Sequence, residues 1–426
     1  MDSKVKQMGL LGAIAIGIGG MVGGGIFAVL GEAVSLAHGA TPIAFLLAGI
    51  IALLTASAYA RLSVKYPSEG GTVVFIEKAF GLGLIPKGLN MMLWLSYLVT
   101  LSLYAVAFGS YGVTFFSSAD SSVLKHVLIS VGIVIPVFIN LLNSEIVSKS
   151  ETVIVVTKLL ILVVIIVTSF GYVQAEHFAP AHYGSTVSII SAGMMIFVAY
   201  EGFELISNAA ADVKNPSVTL PRAFYLSVII VVILYVIISL ITVGTLSEST
   251  IQASKDFALA EAARPALGSF GFKLVAVAAL LATLSAINAT LYGNARLGFL
   301  LAKERELPEP LEKKVWGDSY LGILIVGAIT LIMANTIDLN AISIIASAGF
   351  LLIFTAVNLA AYKLYGEIGG NKLVYLLGFL LSGAALILLL VTTWESSPHA
   401  VIIFISFVAL SLGFEFVYRQ RVSVKA

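Results

Sequence analysis

GIGGMVGGGIF, residues 17–27, contains six glycines in eleven positions. It lies inside residues 10–31, an uncharged stretch that is long enough to cross a bilayer. A glycine in a helix interior costs about 1 kcal/mol relative to alanine, and backbone without helical hydrogen bonds is tolerated at membrane depth only inside protein or beside a wet cavity. The segment therefore predicts a helix broken at mid-membrane, whose free N–H and C=O groups face a binding site. Close packing against a neighbouring helix is the alternative.

The composition indicates a polytopic membrane protein. Of the 426 residues, 59% are hydrophobic and only 11% are charged, whereas a soluble domain carries about 25% charged residues. Cysteine is absent, so no disulfide or thiol chemistry is expected. The net charge of +1 indicates neither a nucleic-acid partner nor a polybasic membrane tether. No cleavable signal is expected at the N-terminus, because the first apolar segment is too long.

Apolar stretches predict twelve membrane-spanning helices. They lie near residues 10–35, 42–64, 88–116, 124–143, 149–173, 187–211, 220–245, 271–300, 320–337, 339–363, 373–393 and 399–418.

The distribution of lysine and arginine predicts the orientation of these spans. With the N-terminus in the cytoplasm, 19 of the 24 basic residues fall on the inner side. One, Lys158, falls within a span, and four fall outside: Lys125, Lys255, Arg264 and Lys273. Both termini are therefore expected in the cytoplasm, and the expected location is the cell membrane.

The sixth span contains a second segment that is unfavourable for a helix. A glycine stands between two carboxylates in VAYEGFE, residues 198–204. The two unfavourable segments each open a block of five spans, which is typical of an inverted repeat whose substrate binds where the broken helices meet. The expected organisation is a single transporter domain, with a first repeat over 1–175, a second over 185–368, and two further helices over 370–426.

Five motifs in order resemble the amino acid–polyamine–organocation (APC) superfamily, whose members have the LeuT-type fold. They are GGMVGGGIF (19–27), PSEGGTVVFIEKAFG (67–81), VAYEGFE (198–204), ADVKNPSVTLPRA (211–223) and SAINATLYGNARLGFLLAKERELP (285–308). The resemblance covers nearly the whole chain, and by pattern it is strongest to ApcT-like proton-coupled amino acid transporters. It implies an all-α polytopic fold of 12 helices, with a 5+5 inverted repeat, broken first and sixth helices, and two C-terminal helices.

The two broken helices suit the two charged groups of an amino acid. N–H groups near Gly23, Gly24 and Gly25 begin the second half of the first span and favour a carboxylate. Carbonyl groups near residues 197–199 end the first half of the sixth span and suit an ammonium. The resemblance further implies a substrate site lined by Met21, Val22, Ile26, Phe197, Ala199, Tyr200 and Gly202. Ordinary aromatic packing is the alternative for Phe197 and Tyr200.

Lys158 lies inside the fifth span, where a charged side chain is costly. Its charge is therefore expected to respond to solvent access, unless its long stem extends to the cytoplasmic surface. In the resembling family, a lysine here fills the place of a sodium ion. The resemblance implies contacts with the Gly19 carbonyl and the Ser285 hydroxyl, and proton coupling through release of the lysine proton to the cytoplasm.

Glu201 and Glu204 are the other charged residues at depth. For Glu204 we expect a structural hydrogen bond to neighbouring backbone. Glu201 departs from the apolar residue that the family usually has, and it either recognises a cationic side chain, carries a second proton, or is merely hydrogen-bonded. Asn288 in the eighth span either caps the site or bonds across helices.

These features predict a secondary active transporter that imports amino acids by alternating access. An amino acid exchanger and a polyamine or cationic amino acid transporter are the alternatives. A channel would need a continuous polar lining, and an intramembrane enzyme would need a catalytic motif that the sequence lacks. The expected partners are an amino acid, a proton and the lipid bilayer, with no nucleic acid, cofactor or metal ion; the oligomeric state stays open.

Overall fold

The computed structural model describes residues 8–116, 121–142, 144–316 and 319–423. Helices make up nearly all of the described chain. In order they are α1 (Leu10–Met21), α2 (Gly25–Ala37), α3 (Thr41–Lys65), α4 (Thr72–Phe80), α5 (Leu84–Val113), α6 (Ser121–Leu142), α7 (Ser144–Ser169), α8 (Thr186–Met195), α9 (Leu205–Asn208), α10 (Pro216–Thr245), α11 (Glu248–Ala253), α12 (Ala258–Ala262), α13 (Arg264–Lys303), α14 (Leu321–Thr336), α15 (Leu339–Lys363), α16 (Tyr365–Ile368), α17 (Lys372–Thr393) and α18 (Pro398–Ser423).

Short 3₁₀ segments and one small hairpin complete the described secondary structure. The 3₁₀ segments are Phe170–Tyr172, Ala175–Phe178, Pro180–His182, Ile196–Tyr200, Ala210–Asp212, Lys255–Phe257 and Glu309–Glu312. Two short antiparallel strands, β1 (Lys314–Trp316) and β2 (Ser319–Tyr320), follow α13. The all-helical prediction did not include them.

Ten helical segments among the described residues are long and apolar enough to cross a membrane, and the bent pair α1–α2 makes an eleventh. The predicted ninth span corresponds to α14, which has only 16 residues. The predicted all-α polytopic fold is confirmed, whereas the number of twelve crossings stays a prediction. The predicted cytoplasmic ends fall partly on residues 1–7 and 424–426, which lie outside the described residues.

The first span is broken within the glycine run, as predicted. α1 ends at Met21, α2 begins at Gly25, and the two helices meet at 47°. The glycines also permit close packing: a Cβ atom on Gly25 would lie 2.8 Å from the Cα atom of Ala199 in the other broken span. The run therefore serves both as an interruption and as a contact surface.

The sixth span is also broken, as predicted. α8 ends at Met195, a 3₁₀ segment continues to Tyr200, and α9 begins only at Leu205. Between them Gly202 has φ of +119°, a conformation that non-glycine residues rarely adopt. A Cβ atom on Gly20 of α1 would lie 2.7 Å from the carbonyl oxygen of Gly202. The two breaks are therefore in direct backbone contact.

An aromatic cluster packs against the second break. The ring of Phe203 lies 5.6 Å from the ring of Tyr59 and 5.2 Å from that of Phe354, measured between centroids. All three side chains are completely buried. Such ring pairs stabilise by about 0.5–1.5 kcal/mol beyond their buried area. The cluster therefore fixes the break between α3 and α15.

The peripheral helices present large apolar side chains to their surroundings. Val167 of α7 is 69% exposed and Ile387 of α17 is 63% exposed. Exposed apolar faces of this extent mark contact with lipid or a partner, so they agree with a bundle surrounded by bilayer.

We predict that Gly202→Ala lowers stability markedly. A side chain at this residue must adopt the unfavourable positive φ, and its Cβ atom would also collide with the backbone of Gly20. Strain of this kind costs about 1–3 kcal/mol before the collision is counted. The thermal unfolding midpoint of the purified protein in detergent measures the effect.

Gly413→Ala in α18 is the matched control. Gly413 has no neighbouring atom within 4 Å of an added Cβ, and alanine favours a helix over glycine by about 1 kcal/mol. Its midpoint should equal or exceed that of the parent protein. Equal midpoints for the two variants would contradict the close backbone contact between the breaks.

Candidate functional site

Lys158 lies beside the end of α1. Its side chain is only 1% exposed, and Nζ donates a hydrogen bond of 3.2 Å to the carbonyl oxygen of Gly19. The side chain therefore does not extend to an aqueous surface, and that alternative is wrong. Ser285 of α13 and Gly19 line the same cavity.

Tyr235 of α10 connects the two broken spans. Its hydroxyl lies 2.6 Å from the carbonyl oxygen of Met21 and 3.2 Å from that of Ala199, and it is placed to donate to both. The Ala199 carbonyl was predicted to face a substrate ammonium. In this structure its oxygen atom instead lies within hydrogen-bonding distance of the Tyr235 hydroxyl. The sequence contains no signal for this contact, because Tyr235 stands in an otherwise apolar run, residues 228–238.

Ser347 of α15 supports the end of α8. Its Oγ atom accepts a 3.0 Å hydrogen bond from the N–H of Val198 and donates to the carbonyl oxygen of Met195. Backbone groups that the break leaves without helical partners are thereby satisfied inside the protein, as membrane depth requires.

Most of the predicted substrate-lining side chains are tightly packed. Tyr200 donates a 2.8 Å hydrogen bond to the carbonyl oxygen of Phe45, and the ring of Phe197 packs 5.8 Å from that of Phe354. Residues of this predicted set that are at most 1% exposed are Met21, Val22, Ile26, Phe197, Ala199 and Tyr200.

Three other predicted residues come together around a cavity. Glu201, Gly202 and Ser285 line a space of about 400 Å³, which also reaches Tyr104 of α5 and Ala286 of α13. Gly23 and Gly24 border this region, since a Cβ atom on Gly23 would meet Ala286 and one on Gly24 would collide with the Tyr104 ring. The cavity thus begins at the glycine run.

The cavity extends toward one end of the bundle. Its wall continues along α1 through Ile16 and Gly12 to Met8. A second cavity of about 590 Å³ shares the lining residues Leu205, Ala289 and Thr290 and reaches Glu304. This end carries Arg296 and Lys303 near the end of α13, and we refer to it as the basic end.

The two carboxyl groups at the second break have different partners. Glu204 accepts a 2.7 Å hydrogen bond from the N–H of Gly202 and a 3.0 Å bond from the hydroxyl of Tyr97, so the expected backbone bond is present. Glu201 accepts a 3.0 Å bond from the hydroxyl of Tyr104. Both tyrosines lie on α5, and sequence reasoning missed them.

Asn288 bonds across helices. Its Oδ1 atom accepts a 2.7 Å hydrogen bond from Nδ2 of Asn140, which joins α13 to α6.

Ion pairs join the elements at the end opposite the basic end. Lys255 lies 2.9 Å from Glu32 of α2, and Lys125 of α6 lies 2.7 Å from Asp256. The 3₁₀ segment Lys255–Phe257 is therefore held against both helices. Since the cavities described above extend to the basic end, the access they provide to the glycine run is from that end.

Three carboxyl groups converge at the basic end. The ligand atoms of Glu77, Glu304 and Glu306 lie within 4.8 Å of one another. Nδ2 of Asn90 donates a 3.1 Å bond to Glu306, and Nζ of Lys87 lies 3.8 Å from it. Burial raises the pKa of Glu306 to about 7, and burial together with the charge of Glu304 raises the pKa of Glu77.

Broken helices that meet at the centre of a helical bundle are the arrangement of many secondary transporters. The described fold and the cavity at the first break are those expected of this class of membrane proteins.

Comparison with known proteins identifies the family. A family model described as amino acid permease matches residues 8–418. An uncharacterized protein of Methanocaldococcus jannaschii is 34% identical over 425 residues, which is 99% of this chain and 97% of that protein. The inner membrane transport protein YbaT of Escherichia coli is 33% identical over 420 residues, 98% of each chain. A methylthioribose transporter of Bacillus subtilis is 26% identical over 386 residues, 85% of this chain and 82% of its own. The chain belongs to the amino acid permease family, in the predicted APC superfamily.

We predict that Glu306 makes stability depend on pH. Its pKa of about 7 in the folded protein exceeds the ordinary value of about 4.3 for glutamate. The folded state therefore binds a proton that the unfolded state releases, and stability falls as pH rises from about 4.3 to about 7. In Glu306→Gln, the free energy of unfolding should therefore fall by about 1–3 kcal/mol less over this pH range than in the parent. Thermal unfolding midpoints between pH 5 and 8 measure it.

Glu309→Gln is the control, because Glu309 is exposed in the same loop. This variant should retain the parent's pH profile. If the unfolding midpoints of Glu306→Gln and of the parent change with pH in parallel, the buried carboxyl group does not titrate in this range.

Proposed function

We propose that the protein is a secondary active transporter that imports amino acids across the cell membrane, and that it is driven by protons. The observation that carries the proposal is the hydrogen bond between the Lys158 ammonium and the Gly19 carbonyl at the end of α1. An ammonium bound to the broken helix occupies the place that sodium-coupled members of the superfamily give to an ion. Membership of the amino acid permease family supports the substrate class.

The substrate binds between the two breaks in this proposal. Its carboxylate accepts hydrogen bonds from N–H groups of Gly23, Gly24 and Gly25, since the first N–H groups of α2 have no partner within the helix. Its ammonium binds the Ala199 carbonyl, in exchange for the Tyr235 hydroxyl. The remaining lining residues are Met21, Val22, Ile26, Phe197, Tyr200, Glu201 and Gly202.

Binding therefore requires the packed residues around the glycine run to move apart. The Tyr104 ring lies against Gly24, and Gly25 lies against Ala199. Opening at the end that carries the Lys255–Glu32 ion pair separates these contacts and admits substrate. Closing that end and opening the basic end then releases it.

Lys158 couples this cycle to the proton gradient. Its ammonium stabilises the end of α1 while it is hydrogen-bonded to Gly19 and shielded from water. Ser285, on the wall of the adjoining cavity, is the second proposed partner. Water that enters this cavity from the basic end gives the proton a route to the cytoplasm.

The proposed orientation places the basic end and both termini in the cytoplasm, as the lysine and arginine distribution favours. The two breaks open the proposed repeats, 1–175 and 185–368, and residues 370–426 add the last two helices. Movement of one set of helices against the other around the breaks produces alternating access. Exchange of one amino acid for another remains the second candidate, because the same site serves either cycle.

We predict that Lys158→Ala abolishes amino acid uptake driven by a pH gradient. The variant lacks the ammonium that binds Gly19 and therefore has no proton to release. Uptake of radiolabelled amino acids into proteoliposomes, with and without an inwardly directed proton gradient, measures the effect. Gel filtration and the thermal unfolding midpoint show that the variant is folded.

Lys273→Ala is the matched control, since Lys273 is an exposed residue near the start of α13. It should take up substrate at the parent rate. If Lys158→Ala takes up substrate as well as the parent and still requires the gradient, the proposed role of Lys158 is wrong. Absence of gradient-driven uptake of any amino acid by the parent protein would contradict the proposed function itself.

A further inference from the structure

Glu201 is a buried carboxyl group on the wall of the cavity that begins at the glycine run. The residue is 2% exposed, and it shares the wall with Gly20, Ser285 and Ala286. We propose that Glu201 selects amino acids with a cationic side chain, by pairing with the side-chain ammonium or guanidinium of the substrate. The inference rests on the proposed function and names the substrate class of that site.

Glu201 and Glu204 differ in how the protein satisfies them. Glu204 accepts hydrogen bonds from a backbone N–H and from Tyr97, at 2.7 and 3.0 Å, and it holds the conformation of the break. Glu201 accepts from the hydroxyl of Tyr104 at 3.0 Å and is hydrogen-bonded to the carboxyl group of Glu204. Of the two residues, Glu201 is the one that lines the cavity and that a bound molecule can reach.

The buried position of Glu201 favours a cationic ligand. Glu201, Glu204 and Lys158 all lie buried in this part of the described chain. Burial of a charge is costly unless an opposite charge accompanies it. A neutral side chain offers Glu201 no opposite charge, whereas the side-chain cation of lysine, arginine or ornithine can pair with its carboxyl group.

The distances fit such a substrate. Gly23 and Glu201 both lie near the hydroxyl end of the Tyr104 ring, with Cζ 3.7 Å from an ideal Cβ on Gly23 and the hydroxyl 3.0 Å from Glu201. A lysine or arginine side chain is long enough to reach from one to the other. A substrate whose carboxylate binds the glycine run can therefore place its cationic group at Glu201 when the Tyr104 ring moves aside.

The same geometry disfavours a polyamine. The N–H groups at the start of α2 require an anion, and a polyamine has none. A ligand that satisfies both the glycine run and Glu201 carries a carboxylate and a separate cationic group. This combination defines a basic amino acid.

Lysine and norleucine provide the sharpest test, because norleucine is lysine without its side-chain ammonium. Binding of each is measured on the full-length protein in lipid nanodiscs at pH 7. The parent should bind lysine at least about tenfold more tightly than norleucine, since a buried charged hydrogen bond contributes about 1.5–3 kcal/mol. In Glu201→Gln lysine binding should weaken until this ratio is about one.

Glu176→Gln, which changes an exposed glutamate of an outer loop, should keep the parent ratio. A parent protein that binds norleucine as tightly as lysine overturns the inference, whether or not the variant folds. An unchanged ratio in Glu201→Gln overturns it as well, as does putrescine binding that equals lysine binding. Transport of neutral amino acids alone would overturn this inference and leave the proposed function intact.

Discussion

Unpaired backbone at the centre of the bundle is the constraint on which the rest of the structure depends. Two spans lose their helical hydrogen bonds at the same depth, in a region where water does not satisfy the exposed N–H and C=O groups. The protein resolves this by bringing the breaks together at Gly20 and Gly202 and by directing three side chains at the open carbonyl and amide groups. Those side chains are Lys158, Tyr235 and Ser347.

The side chains that make these three contacts differ in charge. The hydroxyls of Tyr235 and Ser347 are neutral and join the breaks to α10 and α15. Lys158 instead contributes an ammonium. In the proposed function this ammonium releases its proton to water, and that release links proton binding to the conformation of the first break.

The two ends of the molecule are unequal in this conformation. Ion pairs at Glu32 and Asp256 join the elements at one end, and cavities extend from the glycine run to the other. The carboxyl cluster around Glu306 adds a buried, titratable group at the basic end. In the proposed function, this asymmetry corresponds to a state in which the glycine run is reached from the basic end.

Sequence reasoning identified the backbone features and Lys158 but missed the hydroxyl groups that bond to the breaks. The glycine run and the VAYEGFE segment predicted both breaks, because glycine and paired carboxylates are unfavourable at those depths. Lys158 was conspicuous for the same reason. Tyr97, Tyr104 and Tyr235 were not, because helices that are apolar on all sides carry no periodic signal of which face points inward. The hairpin after α13 and the shortness of α14 also escaped the hydropathy pattern.

A cryo-electron microscopy structure of the protein with a bound amino acid tests the central claim most directly. The account predicts density with the carboxylate within hydrogen-bonding distance of the N–H groups of Gly23–Gly25 and the ammonium at the Ala199 carbonyl. An amino acid bound elsewhere, with Gly20 still against Gly202 and Gly25 still against Ala199 as they are here, would contradict it.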